Sequence, residues 1–362
     1  MGVDDVLAWV LASAEPSARW IVRSALLDGA PGAAVEHTLV LADPGTDALA
    51  DRLGDWTAGA DLSGHASPAF APNLLTLLAD MGVAGGDDPR VERVLDAMAD
   101  HPLPDGRFAS FARVRGSTTA TWGALLCDTH AITEVLLRYG RGADQRVARA
   151  LDVMIDDLTD TPHGRAWPCR PDPASGFRGP GRKGDVCPQV TLEALRAWSW
   201  VPVDRRPPEV LGAARVALGV WRGRATAKPY MFGHGYQFKV VKWPTTWYDV
   251  MTALDALGRF PQLWSGPEAD PADRRSLAEL MACLVAHNVA ADGRVTPQSC
   301  YRGFEDYSFG QKKVPSPFAT ARVRQVLHRL DALAPEAAAV EIGALASSKG
   351  GTGTPRPPRV AG

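Results

Sequence analysis

The chain has 362 residues, 46% of them hydrophobic, with 39 basic and 41 acidic side chains for a formal net charge of -2. That balance excludes a bulk field for nucleic acid or an anionic membrane surface, and no run of about 18 apolar residues is available to span a bilayer. The start, with Asp4 and Asp5 and no basic flank, is unlike a secretion signal. Five cysteines in such a chain then read as reduced thiols of a cytoplasmic protein.

In chain order, Val3–Leu11 and Ala18–Leu27 are expected as a leading helix pair. Turn-like segments that end on an apolar residue then recur: Gly54-Asp55-Trp56, Asp105-Gly106-Arg107-Phe108, Gly164-Arg165-Ala166-Trp167 and Asp292-Gly293-Arg294-Val295. Phe232-Gly233-His234-Gly235-Tyr236 fills the wide gap before the last. Spacings of about 50 to 70 residues suit two helices plus loops per unit. Each turn leads through a loop into an apolar helix, expected over 70–81, 127–139, 187–200, 247–260 and 318–330. More polar helices lie between them, over 89–98, 145–158 and 273–287. No run shows the alternation of a sheet. An apolar helix alternating with an amphipathic one is what an inner and an outer layer need. The expected fold is therefore all-α, a closed ring of about five to six helix pairs, forming a single domain over 1–335. Residues 347–362, rich in Gly and Pro, are expected as a disordered tail.

Three of the cysteines occupy related places in adjacent repeats. Cys127 and Cys187 begin apolar helices, and Cys169 opens the long loop 168–185. His130 lies one turn into the first helix, and Asp185 precedes Cys187 by two positions. Three readings stay open for this set. It is a tetrahedral Zn²⁺ centre with His130, Asp185 or Asp128 as fourth ligand, a reactive thiol favoured by helix N-termini, or small buried hydrophobes. Cys283 reads as core.

Further along, Trp247-Tyr248-Asp249 begins another apolar helix. Asp249 is either a helix-dipole charge or a buried acid for proton transfer beside Tyr248 and Trp247. Lys239, Lys242, Gln311, Lys312 and Lys313, with Arg182 and Lys183, fall on loops expected at one end of the ring. Converging cations there would receive a phosphate, diphosphate or carboxylate.

The stretches Trp167-Pro168-Cys169, Gly179 to Pro188, Tyr230-Met231-Phe232-Gly233, Trp247-Tyr248-Asp249 and Phe309-Gly310-Gln311-Lys312-Lys313 carry a resemblance. With the DGR-aromatic turns, they resemble the squalene cyclase and protein prenyltransferase superfamily, most nearly its bacterial and archaeal repeat proteins without an assigned reaction. The resemblance spans about Glu15 to Leu330 and implies an α/α toroid with an apolar, isoprenoid-like substrate. Asp185-Val186-Cys187 matches half of the prenyltransferase zinc pattern, but no histidine begins the later apolar helices. The DxDD acid motif of the triterpene cyclases does not occur. The expectation is an enzyme with zinc or a reactive thiol at one end of a central cavity. The alternative is a non-catalytic helical-repeat scaffold that binds a peptide or small molecule.

Overall fold

The structure is a computed structural model that describes residues 3–27, 29, 31–58, 67–112, 119–172, 187–224, 235–267 and 269–345. Helices dominate. The first half holds α1 (Val3–Leu11), α2 (Pro16–Ile21), α3 (Ala33–Leu41), α4 (Pro44–Asp51), α5 (Ala71–Met81), α6 (Pro89–Ala99), α7 (Leu126–Arg138) and α8 (Gln145–Asp156). The second half holds α9 (Pro188–Ser199), α10 (Pro208–Gly223), α11 (Gly235–Lys239), α12 (Val250–Leu257), α13 (Pro271–Asn288), α14 (Pro317–His328) and α15 (Ala334–Ala338). Past residue 335, α15 and a short turn over Ile342–Leu345 lie against α13. The expected tail, 347–362, lies outside the described residues.

Helix starts follow local chemistry. Asp43, Asp88, Asp144 and Asp270 each accept a first-turn N–H at the head of α4, α6, α8 and α13, and proline opens three of those four helices. Among the apolar helices, α12 is capped by Asp249 and α14 by Ser316. The Asp249 cap makes α12 start three residues later than the apolar pattern predicts. The second leading helix also differs, because α2 passes into a π-turn over Val22–Leu26. Among the described residues, three two-stranded pairs are present where no sheet pattern is legible. β1 (Ser110–Ala112) and β2 (Thr121–Gly123) are antiparallel, as are β3 (Thr159–Thr161) and β4 (Gly164–Ala166). β5 (Lys242–Trp243) and β6 (Ser299–Cys300) run parallel. Strands of two or three residues are too short to display a period of two.

The repeated turns act as clamps. Their glycines adopt positive φ, 100° at Gly106 and 112° at Gly164, and the next apolar residue is sealed in the core at Trp56, Phe108, Trp167 and Val295. A threonine in the first turn of the following apolar helix then holds that residue's backbone. Thr129 donates to the Phe108 carbonyl at 3.0 Å and Thr191 to the Trp167 carbonyl at 3.1 Å, while Thr320 accepts from the Val295 N–H at 3.0 Å. Turn and helix start are thereby fixed together at the heads of α7, α9 and α14.

The apolar helices pack side by side: α5 on α7, α7 on α9, α9 on α12, α12 on α14, α14 on α2 and α2 on α5. Most also touch a more polar helix: α4 packs on α5, α6 on α7, α10 on α9 and α13 on α12. Toward their C-terminal halves these helices bury ion pairs. Arg196 holds Glu134 at 2.8 Å, Arg322 holds Asp80 at 3.0 Å and lies 3.8 Å from Asp255, and Arg329 holds Asp255 at 2.8 Å. Arg138 also pairs with Asp80.

Two predictions follow from this frame. Gly164→Ala forces a positive φ on alanine and drives its Cβ to 2.7 Å from Val216, so it should lower stability by about 1–3 kcal/mol. Gly212→Ala, in open space within α10, should raise stability by about 0.5–1 kcal/mol. Urea unfolding of both variants checks this, and shifts of the same sign would refute the turn assignment. Asp80→Asn leaves two buried guanidiniums short of a partner and should cost about 3–5 kcal/mol. The same change at exposed Asp160, 3.8 Å from Arg165, should leave the unfolding midpoint in place.

Candidate functional site

The starts of α7, α9 and α12 bring together the chemistry noted in the sequence. Cys127 is buried in the first turn of α7, with its thiol donating to Asp128 at 3.7 Å. Asp128 is fully buried and accepts from the Ser110 hydroxyl at 2.5 Å. Cys187 is the residue that precedes α9, and Cys169 follows β4 by three residues. The two thiols act on each other: interaction with Cys187 holds the half-buried Cys169 thiol below its ordinary range, and interaction with Cys169, with burial adding to it, holds Cys187 well above it. Burial, then Asp128, Glu193 and the other two thiols, push Cys127 well up.

Glu193 escapes a reading based on cysteine spacing. It lies 3% exposed on α9, four residues after Gln189 and therefore on the same helix face. The Tyr248 N–H donates to Gln189 Oε1 at 3.0 Å, which turns the Gln189 amide nitrogen toward Glu193 Oε1. Glu193 Oε2 is buried without a hydrogen-bond partner. Burial raises the Glu193 carboxyl well above its usual range, and nearby Asp128 and Cys187 add to the rise. An i,i+4 Gln–Glu pair inside an apolar helix is the sequence signal that marks it.

His130 sits at the base of this cluster, fully buried. Its Nδ1 faces the Val190 carbonyl at 3.1 Å and its ring meets Trp167 edge-on at 6.0 Å between centroids. Burial takes its pKa down to about 3, so the imidazole is neutral, and Nε2 lacks a partner. Nδ1 therefore carries the proton.

The residues of the α12 start divide differently from the sequence expectation. Asp249 is buried and caps α12 by accepting from the Thr252 N–H at 2.8 Å. Burial raises its pKa to about 7 against the hydrogen bonds of Thr252, Met251 and Lys242. Tyr248 is buried and packs on half-buried Trp247 at 4.9 Å. Lys242 lies 3.7 Å from the Tyr301 ring centre; burial and the charge of Lys312 lower its pKa. These two lysines also face Cys300. Lys239 instead faces Cys283 and His287, Lys313 is exposed, and Gln311 donates to the Glu305 carbonyl. Only two of the four lysines thus share a site. Arg182, Lys183 and Asp185 lie outside the described residues.

Among the described residues, no group of three or more His, Cys, Asp or Glu side chains is placed to hold a metal ion. His130 directs Nδ1 at the Val190 carbonyl. Asp185 of the expected donor set lies outside the described residues. Among the same residues, no helix is long and apolar enough to cross a membrane. No family profile, curated protein or solved structure matches the chain.

Asp249 supplies a pH test. Its carboxyl ionises near 3.8 in its ordinary state but only near 7 in the fold, so the folded chain holds the extra proton between those values. Its contribution is complete below about pH 4 and is lost as pH rises to about 7, at about 1.4 kcal/mol per pKa unit. Asp249→Asn keeps the cap and should match the parent stability at pH 4 while exceeding it at pH 8. A stability difference that is the same at both pH values would contradict the burial argument.

Proposed function

We propose that the chain is an enzyme on an α/α toroid of the squalene cyclase and prenyltransferase kind, with the thiol cluster at the starts of α7 and α9 as its reactive centre. In this reading Cys169 is the nucleophile and Asp249 the acid–base group, supported by the buried Tyr248. Lys242 and Lys312 receive an anionic group on an otherwise apolar substrate, for which the sequence resemblance implies an isoprenoid. The toroid is supported by the packing order of the apolar helices, which runs from α5 through α7, α9, α12, α14 and α2 back to α5.

The observation that carries the reading is the joint burial of acidic groups. Cys127, Cys187, Asp128 and Glu193 are all buried within electrostatic reach of one another. Packing several acids together raises the free energy of every ionised form, and such perturbed clusters concentrate at reactive sites. Cys169 is the accessible member and the one whose thiolate is favoured, which is the profile of a nucleophile. Asp249, with a pKa of about 7, is matched to proton transfer near neutrality.

The test uses two bromoacetamides with the same apolar chain, one ending in a carboxylate and one in a neutral amide, on a Cys300→Ser chain. The anionic reagent should alkylate Cys169 several-fold faster than the neutral one, and Lys242→Ala with Lys312→Ala should erase the advantage. Equal rates, with Cys169 no faster than buried Cys283, would favour the non-catalytic scaffold. Metal analysis accompanies the test: near-stoichiometric zinc or iron that disappears in Cys169→Ala would replace the thiol reading by a metal centre.

A further inference from the structure

The buried ion pairs of the apolar helices do not balance. Arg196 holds Glu134 at 2.8 Å, and Asp80 is shared by Arg138 and, at 3.0 Å, by Arg322. Asp255 is shared by Arg329 at 2.8 Å and Arg259 at 3.3 Å. Five guanidiniums thus face three carboxylates, and none of these side chains is more than 22% exposed. Helix C-termini ordinarily offset such cations, but three of the carbonyls at the ends of α9 and α12 are already taken. Arg206 donates to the carbonyls of Ser199 at 2.9 Å, Val201 at 2.8 Å and Arg259 at 2.8 Å. Among the described residues Arg206 pairs with no carboxylate, so its charge adds to the excess.

The unmatched charge gathers on Trp200, the residue that follows α9. The Arg259 guanidinium stands 4.5 Å from its ring centre and that of Arg138 stands 5.3 Å away. An aromatic ring attracts each cation but does not relieve the repulsion between them. Their N–H groups are also underused. Of the five on a guanidinium, Arg259 commits one among the described residues, to Asp255 at 3.3 Å, and Arg138 commits two, to the Thr76 carbonyl and Asp80. Both side chains keep some contact with solvent. Burial, against the pull of Asp255 and with the charges of Arg329, Arg138 and Arg322 adding to it, brings the Arg259 pKa down to about 10.

We propose that Arg138, Arg259 and Trp200 form a binding site for a phosphate group, which bridges the two guanidiniums beside the indole. A phosphate supplies the counter-charge that the cluster lacks, and its oxygens accept the forked N–H pairs that arginine offers. The indole gives the apolar body of a phosphate ester a surface to lie on. This site is separate from Lys242 and Lys312 and does not depend on the thiol-centre reading.

Binding of inorganic phosphate and of phenyl phosphate to the full chain, measured by isothermal titration calorimetry at an ionic strength fixed with chloride, tests it. One phosphate should bind per chain. Arg259→Gln removes a single long hydrogen bond from the fold, so the variant should unfold at the parent midpoint yet bind at least about tenfold more weakly. Arg259→Lys, which keeps the charge without the fork, should weaken binding less. Lys242→Ala with Lys312→Ala should leave it unchanged. Phenyl phosphate that binds more tightly than inorganic phosphate, with the advantage lost in Trp200→Leu, identifies a phosphate ester as the ligand; equal affinity identifies free phosphate. Absence of saturable binding, or binding that survives Arg259→Gln unaltered, would overturn the proposal. Loss of binding in the lysine variant alone would also overturn it, and would place the anion at Lys242 and Lys312 instead.

Discussion

Charges buried within the apolar helices set the geometry of this molecule. Asp80 on α5 meets Arg138 on α7 and Arg322 on α14, Arg322 also approaches Asp255 on α12, and Glu134 on α7 meets Arg196 on α9. A guanidinium or carboxylate left alone in that interior costs several kcal/mol, so these helices are stable only in the mutual register that pairs them. Hydrophobic packing by itself tolerates sliding and repacking, whereas ion pairs between five helices do not. The same register decides which helix starts come together at the other end, and there the thiols and carboxyls gather.

The two ends of the helices therefore work by opposite electrostatics. Toward the C-terminal ends opposite charges are paired, and the arginines there outnumber the carboxylates. Around the starts of α7 and α9 four acids gather, Cys127, Asp128, Cys187 and Glu193, beside the neutral imidazole of His130. Burial, with the neighbouring acids adding to it, makes Cys127 and Glu193 resist losing their protons. Cys169 departs from that pattern, since interaction with Cys187 holds it below the ordinary thiol range and it is only half-buried. The contrast within one cluster assigns different work to thiols that are chemically identical in the sequence.

Much of the fold was legible from pattern. The apolar stretches at 70–81, 127–139, 187–200 and 318–330 became α5, α7, α9 and α14 to within a few residues, because unbroken burial is written directly in their composition. The glycine turns were legible too, although the threonine bonds that make them clamps were not, since each joins residues about twenty or more positions apart. Helices α3, α4 and α10 went unread, and α3 leaves Val35 and Leu39 exposed, which blurs its pattern. Asp80, Glu134, Arg196, Asp255 and Arg322 resembled ordinary surface charges, because a buried ion pair leaves no local trace until both partners are placed. At the site, the cysteines and Asp249 stood out by residue type. Glu193 and Gln189 did not, because their meaning comes from the Tyr248 N–H that orients the amide between them. The lysines misled in part, since proximity in sequence at 239 and 242 placed them on different neighbours.

The central claim is that five chemically equal thiols have been made unequal, with Cys169 singled out as the reactive one. Its most direct test is the pH dependence of alkylation of each cysteine in the native chain, followed peptide by peptide by mass spectrometry. The account predicts that Cys169 reacts first and reaches half its maximal rate below the pH of an ordinary thiol, about 8.5, and that Cys127, Cys187 and Cys283 react only on unfolding. A native chain in which Cys300 reacts first, or in which Cys169 is as protected as Cys283, would contradict it.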